Sequence, residues 1–238
     1  MRRREEIKMA EIFETSLFFG ALISLASYFL GMTLKKKFKL AIFNPLLVAI
    51  VLTIGFLLVF DIDYESYEDG GRYLSYLLTP ATICLAIPLY EQFEALRKNA
   101  AAILAGILTG VITSLVSVLI LSKLFALNHA EYVTLLPKSI TTAIGMGVSE
   151  ELGGYVSITV AVIIITGIIG NIIAEFVCKI FRITHPIAKG IGIGSASHAI
   201  GTTKAMEIGE VEGAMSSLSI VVSGLITVIF AGIFANLM

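Results

Sequence analysis

Charged residues are scarce in this chain. Asp, Glu, Lys and Arg make up 15% of the 238 residues, against 57% hydrophobic ones. Soluble domains carry roughly 25% charge, so a water-soluble fold is excluded for want of polar surface. A mean hydropathy of +0.92 agrees. Residues 100–122 and 155–174 contain no charge at all, and each run reaches the ~20 residues needed to cross a hydrocarbon core. Strict apolar/polar alternation is also missing. Val160-Ala161-Val162-Ile163-Ile164-Ile165 is a continuous apolar run, which excludes the pattern of a transmembrane β-barrel. Lipid offers backbone groups no partners, so helices are the remaining solution. The expected fold class is all-α: a polytopic integral membrane protein of the cell membrane with about eight hydrophobic segments.

Other scarcities exclude other functions. A net charge of −1 gives no reason to expect a nucleic-acid partner. The two cysteines, Cys84 and Cys178, lie in apolar segments and read as small hydrophobes rather than as a disulfide or metal pair. His129, His185 and His198 lack metal-ligand spacing, and no nucleophile–base–orienter set is present. No cofactor and no enzyme activity are therefore expected. Gly190, Gly192 and Gly194 alternate, but no strand precedes them, so they point to close helix packing rather than to a nucleotide loop.

The apolar blocks fall near residues 12–34, 40–60, 73–90, 100–127, 133–148, 155–181, 187–206 and 213–237. The first is too long for a signal-peptide core and reads as a retained span. Short connections imply a single transmembrane domain over residues 12–238, preceded by an extension of residues 1–11. Lys35, Lys36, Lys37 and Lys39 mark a cytoplasmic loop, and the acidic stretch 61–72 an external one. Arg97 and Lys98 then return the chain to the cytoplasm.

Three blocks are unlike simple spans. Segment 73–90 holds Pro80 and Pro88, segment 133–148 holds Pro137 and Gly145, and segment 187–206 holds Gly192, Gly194 and Gly201. These residues, with Asn44 and Pro45 at the start of the second block, are the expected helix breaks, capping being the alternative account of the Asn44-Pro45 pair. Two of the blocks echo one another: Pro80-Ala81-Thr82-Ile83 resembles Pro137-Lys138-Ser139-Ile140. In the same register Thr109-Gly110-Val111-Ile112 falls on Thr166-Gly167-Ile168-Ile169. A second echo links residues 146–153 with 206–213. Paired, interrupted apolar segments are the sequence mark of a midplane binding site in transporters.

A lysine inside such a segment costs ~2.5–3.5 kcal/mol to insert, so Lys138 is expected to face protein or a watery cavity unless it snorkels to an interface. Lys138 as counter-charge, with the hydroxyls of Ser139, Thr141 and Thr142, forms a candidate anion site. His198, with Ser195, Ser197, Thr202 and Thr203, forms the second half, the alternative for His198 being a satisfied interhelical hydrogen-bonder, and Thr82 is the corresponding hydroxyl of the first copy. A small carboxylate is the ligand that such donors suit.

Several strings, in one order, resemble the LrgB/CidB family. They are Asn44-Pro45-Leu46-Leu47, Leu78-Thr79-Pro80-Ala81-Thr82, Leu85-Ala86-Ile87-Pro88-Leu89-Tyr90, Leu136-Pro137-Lys138-Ser139-Ile140-Thr141-Thr142, Ser195-Ala196-Ser197-His198-Ala199-Ile200-Gly201-Thr202 and Glu212-Gly213-Ala214-Met215-Ser216. Ala143-Ile144-Gly145-Met146 departs from the family's usual Pro-Ile-Ala-Met. The resemblance implies two functions. One is transport of a small hydroxy- or keto-monocarboxylate of the glycolate, glycerate, lactate or pyruvate class, as in the related plastid translocator. The other is an effector of murein hydrolase export and autolysis acting with a holin-like LrgA/CidA partner. The remaining expected partners are the lipid bilayer and further copies of the chain.

Overall fold

The computed structural model describes residues 18–38, 43–77, 80, 83–84 and 86–238. All regular structure among them is helical. Residues 1–11 and Thr82 lie outside the described residues. The chain divides between Cys84 and Leu85 into two compact units.

The first unit contains α1 (Phe19–Phe38), α2 (Pro45–Phe60) and α3 (Tyr64–Ser75). Asn44 is the N-cap of α2: its side chain accepts from the amides of Leu46 (2.9 Å) and Leu47 (3.3 Å), and Pro45 takes the first turn. This pair therefore starts a helix rather than breaking one. Stretch 61–72, expected as a loop, mostly forms α3. That helix presses Gly70 and Gly71 against Gly20 of α1 so closely that a methyl group at Gly20 would strike backbone.

The second unit contains α4 (Ala86–Glu91), α5 (Phe93–Leu124), α6 (His129–Leu135), α7 (Thr142–Glu151), α8 (Val156–Ile180), α9 (Pro186–Ile208) and α10 (Glu210–Ala235). Three of these, α5, α8 and α10, are long and apolar enough to cross a membrane. Pro80 and Pro88 both sit in helical backbone, Pro88 within α4. Helices α5 and α8 close in the same way. Ala126 (φ 51°) and Arg182 (φ 53°) adopt positive φ, and the next amide bonds back to Ser122 or Cys178. That arrangement satisfies terminal carbonyls that lipid would leave bare.

The two broken segments fold back on themselves. Between α6 and α7, residues 136–141 leave the helix, and Thr134 lies beside Ser149 and the start of α8. The amide of Tyr155 donates to Thr134 Oγ1 (2.8 Å). Thr159 Oγ1 donates to the Thr134 carbonyl (3.0 Å) and bonds the Ser149 hydroxyl (2.7 Å). Pro137 packs near Gly145. Residues 129–151 are thus a hairpin, A, whose two ends share the end of the bundle where α5 stops and α8 starts.

Hairpin B is α9. Its helical path breaks at His198 (φ 43°, ψ −142°), and the second half returns along the first. Gly201 packs on Ser197 and Ile193, Ala205 shares a cluster with Ile193, and Ile208 lines the same cleft as Lys189. Both ends of B therefore lie where α8 stops and α10 starts, opposite to the ends of A. The break expected at Gly192, Gly194 and Gly201 falls at His198 instead, while those glycines lie within helical turns. Gly194 meets the backbone of Ser216, so its smallness serves the α9–α10 contact. Gly145 likewise lies inside α7, under Ile163.

The buried Thr159 cluster ties hairpin A to α8. Thr159→Val should leave the Ser149 hydroxyl and the Thr134 carbonyl short of a partner and cost about 1–2 kcal/mol. Thermal unfolding in detergent should show a lower midpoint, and an unchanged one would contradict this role.

Candidate functional site

The tips of the two hairpins rest on the same two helices. On α5, near its middle, Ser114 Oγ bonds Ser139 Oγ of hairpin A at 3.1 Å. One turn away, ~6 Å along the axis, Gly110 faces Ser195 of hairpin B. On α8 the shared residue is Ile163. A methyl group at Gly145 of hairpin A would overlap its side chain, and its carbonyl accepts a 2.9 Å hydrogen bond from His198 Nε2 of hairpin B. A carbonyl only accepts, so Nε2 carries the proton. No hydrogen bond joins one tip directly to the other among the described residues.

Lys138 is half-buried, and its ammonium donates to Ser139 Oγ at 3.0 Å. No carboxylate pairs with it among the described residues. The Lys138–Ser139–Ser114 chain thus places one cation and two hydroxyls at mid-length of α5. Thr141 and Thr142 are half-buried at the start of α7. Thr141 is its N-cap, but its side chain makes no capping bond.

At the tip of B, Ser195, Ser197, His198 and Thr202 are buried, whereas Thr203 is exposed. Positive φ at a histidine is uncommon and unfavourable by about 1–3 kcal/mol. Three contacts hold it here. The ring is anchored on Ile163, and Gly167 has no side chain where the ring lies. Thr202 Oγ1 donates to the freed His198 carbonyl (2.9 Å) and bonds Ser216 of α10 (2.8 Å). Asn171 of α8 fastens the returning half by donating to the Ile200 carbonyl (2.8 Å) and Thr203 Oγ1 (2.9 Å). Lys204 pairs with Glu175 and with Glu207 (3.1 Å), so it braces the hairpin rather than facing its tip.

Sequence reasoning missed Ser114, Ile163, Asn171 and Ser216. A signal for the common level existed. The Thr109-Gly110 and Thr166-Gly167 register continues, at the same spacing, to Ser223-Gly224. Each glycine lies under a hairpin: Gly110 under Ser195, Gly167 under His198, and Gly224 under Ile144.

Three apolar helices long enough to span, with two buried, polar-tipped hairpins between them, define a helical membrane protein whose polar groups are gathered inside. The chain belongs to the LrgB-like family, which matches residues 24–237. It is 41% identical over 218 residues to the antiholin-like protein LrgB of Bacillus cereus (strain B4264), covering 91% of this chain and 95% of that relative. The antiholin-like protein LrgB of Bacillus anthracis (strain CDC 684 / NRRL 3495) gives the same values. No solved structure matches.

Proposed function

We propose that this chain is a non-enzymatic, antiholin-like effector of cell lysis that modulates murein hydrolase export and autolysis with a holin-like membrane partner. The observation that carries this reading is the 41% identity to relatives of that name over nearly their whole length. Its test is expression of the chain in a bacterium deleted for its own copy. Detergent-induced autolysis should slow and secreted murein hydrolase should fall in a zymogram. Unchanged autolysis with the chain confirmed in the membrane would contradict it.

One observation favours a second reading, transport of a small hydroxy- or keto-monocarboxylate. Lysis control through oligomerising spans needs no internal anion site. Two opposed hairpins with hydroxyl-rich tips and Lys138 between the spans support such a site, because an anion stripped of water needs a counter-charge and several donors. Broken segments at mid-depth are also where carriers bind solute. Proteoliposomes containing the chain should take up labelled glycolate, lactate or pyruvate without leaking an unrelated dye. The readings join if carboxylate flux sets the autolysis signal.

A further inference from the structure

Where hairpin B meets the end of α8, the molecule has a second polar feature that neither reading uses. A cleft of about 610 Å³ is lined by Lys179, Arg182, Thr184 and Lys189, with Glu175 as its single carboxylate and Ile208 closing one side. Glu175 is already engaged by Lys204, and Lys189 lies 3.8 Å from Glu212. Lys179 and Arg182 are exposed and pair with no carboxylate among the described residues. The cleft therefore carries uncompensated positive charge.

Its surroundings are apolar. Phe176, Ile180 and Phe181, on the same last turns of α8, are 65%, 56% and 71% exposed. In a membrane-spanning helix such side chains face acyl chains, so the cleft opens at the boundary between hydrocarbon and headgroups. The end of the bundle it occupies also carries Arg97 and Lys98 at the start of α5. The opposite end has Lys123 with Glu131, Glu150 and Glu151. That asymmetry assigns the cleft to the cytoplasmic side, where anionic lipids concentrate and basic pockets between helices take their headgroups.

We propose that this cleft binds a phosphate group, supplied by the headgroup of an anionic phospholipid. Arg182 presents a planar fork to two phosphate oxygens, and Lys179 and Lys189 supply point charges beside it. The Thr184 hydroxyl adds a donor, and the exposed α8 face receives the acyl chains. Both feet of hairpin B border the cleft, through Lys189 and Ile208, so an occupant ties them to the end of α8.

The test uses the purified full chain and the Lys179→Gln/Arg182→Gln double variant, with Lys123→Gln as control. Native mass spectrometry counts bound phosphatidylglycerol against phosphatidylcholine. Thermal unfolding is followed with each lipid, with inorganic phosphate and with glycerol 3-phosphate. The wild type and the Lys123→Gln control should retain phosphatidylglycerol selectively and be stabilised by it. Two basic groups at an anionic surface correspond to about a 30-fold change in affinity, and the double variant should lose retention to that degree. Both changed side chains are exposed, and the lipid-free melting midpoint verifies folding. If that midpoint collapses, Arg182→Gln alone should show about a fivefold loss. Stabilisation by glycerol 3-phosphate that disappears in the double variant upholds the phosphate site and assigns its occupant to the soluble pool. Equal retention of both lipids, or retention unchanged in a folded variant, overturns the proposal.

Discussion

Lys138→Ala should reduce carboxylate uptake into proteoliposomes by about 10- to 100-fold, the equivalent of the ~1.5–3 kcal/mol carried by a hydrogen bond to a charged group. Lys138 is the cation at the tip of hairpin A, and its ammonium reaches Ser139, which in turn bonds Ser114 on α5. On the carrier reading, removing the ammonium leaves two hydroxyls to hold an anion away from water, with no compensating charge. The lost side chain is only half-buried, so the fold should survive. Lys123→Ala, at the exposed end of α5, should transport normally. Normal uptake by Lys138→Ala would remove the lysine from the site and, with it, the strongest physical support for the carrier reading. Measuring autolysis with the same variant separates the two functions. Lost uptake with intact lysis control would show that the lysis role does not run through this cation.

Gly194→Val should strongly destabilise the second unit. Even a Cβ at this position would run into the carbonyl and Cα (2.8 Å) of Ser216 and the Cβ of Ser219 (2.8 Å). Main chain cannot rotate away as the end of a long side chain can. Helices in lipid associate through such close approach rather than through a hydrophobic driving force, so separating α9 from α10 has no easy remedy. The expected cost is on the order of 3 kcal/mol, the upper part of the range for overpacking. It should appear as loss of the monodisperse peak in detergent chromatography and a lower melting midpoint. Gly192→Val makes the internal control, because nothing lies within 4 Å of a Cβ there. Equal behaviour of the two variants would contradict the packing described for hairpin B.

The helical membrane class and the unbroken runs within α5 and α8 were legible because length and charge density alone decide them. The polar, interrupted character of segments 133–148 and 187–206 was equally legible, since Lys138, His198 and the surrounding hydroxyls are costly in lipid wherever they point. What the pattern could not reveal was that each segment turns back. A block of ~20 apolar residues has the same composition whether it crosses the bilayer or enters and returns. In hairpin B the reversal is made by one backbone conformation at His198, a residue type with no strong turn signal, while Gly194 and Gly201 serve packing and Gly192 faces open space. Asn44-Pro45 resolves in the opposite sense: of the two accounts of that pair, a local break and a cap, it is the cap and first turn of α2. The acidic stretch 61–72 was read as a loop because its charges dominate, yet its tyrosines and glycines give α3 a packing face against α1.

Cysteine labelling at the feet of the hairpins tests their opposed re-entry most directly. In a background with Cys84 and Cys178 replaced by serine, single cysteines are placed at four exposed positions: Lys123 and Glu150 flank hairpin A, and Ala188 and Glu210 flank hairpin B. A membrane-impermeant thiol reagent applied to intact cells should modify Lys123→Cys and Glu150→Cys. It should reach Ala188→Cys and Glu210→Cys only after permeabilisation. If Ala188→Cys and Glu210→Cys react from opposite sides, α9 crosses the membrane as a span, and the meeting of two hairpin tips at mid-depth is wrong.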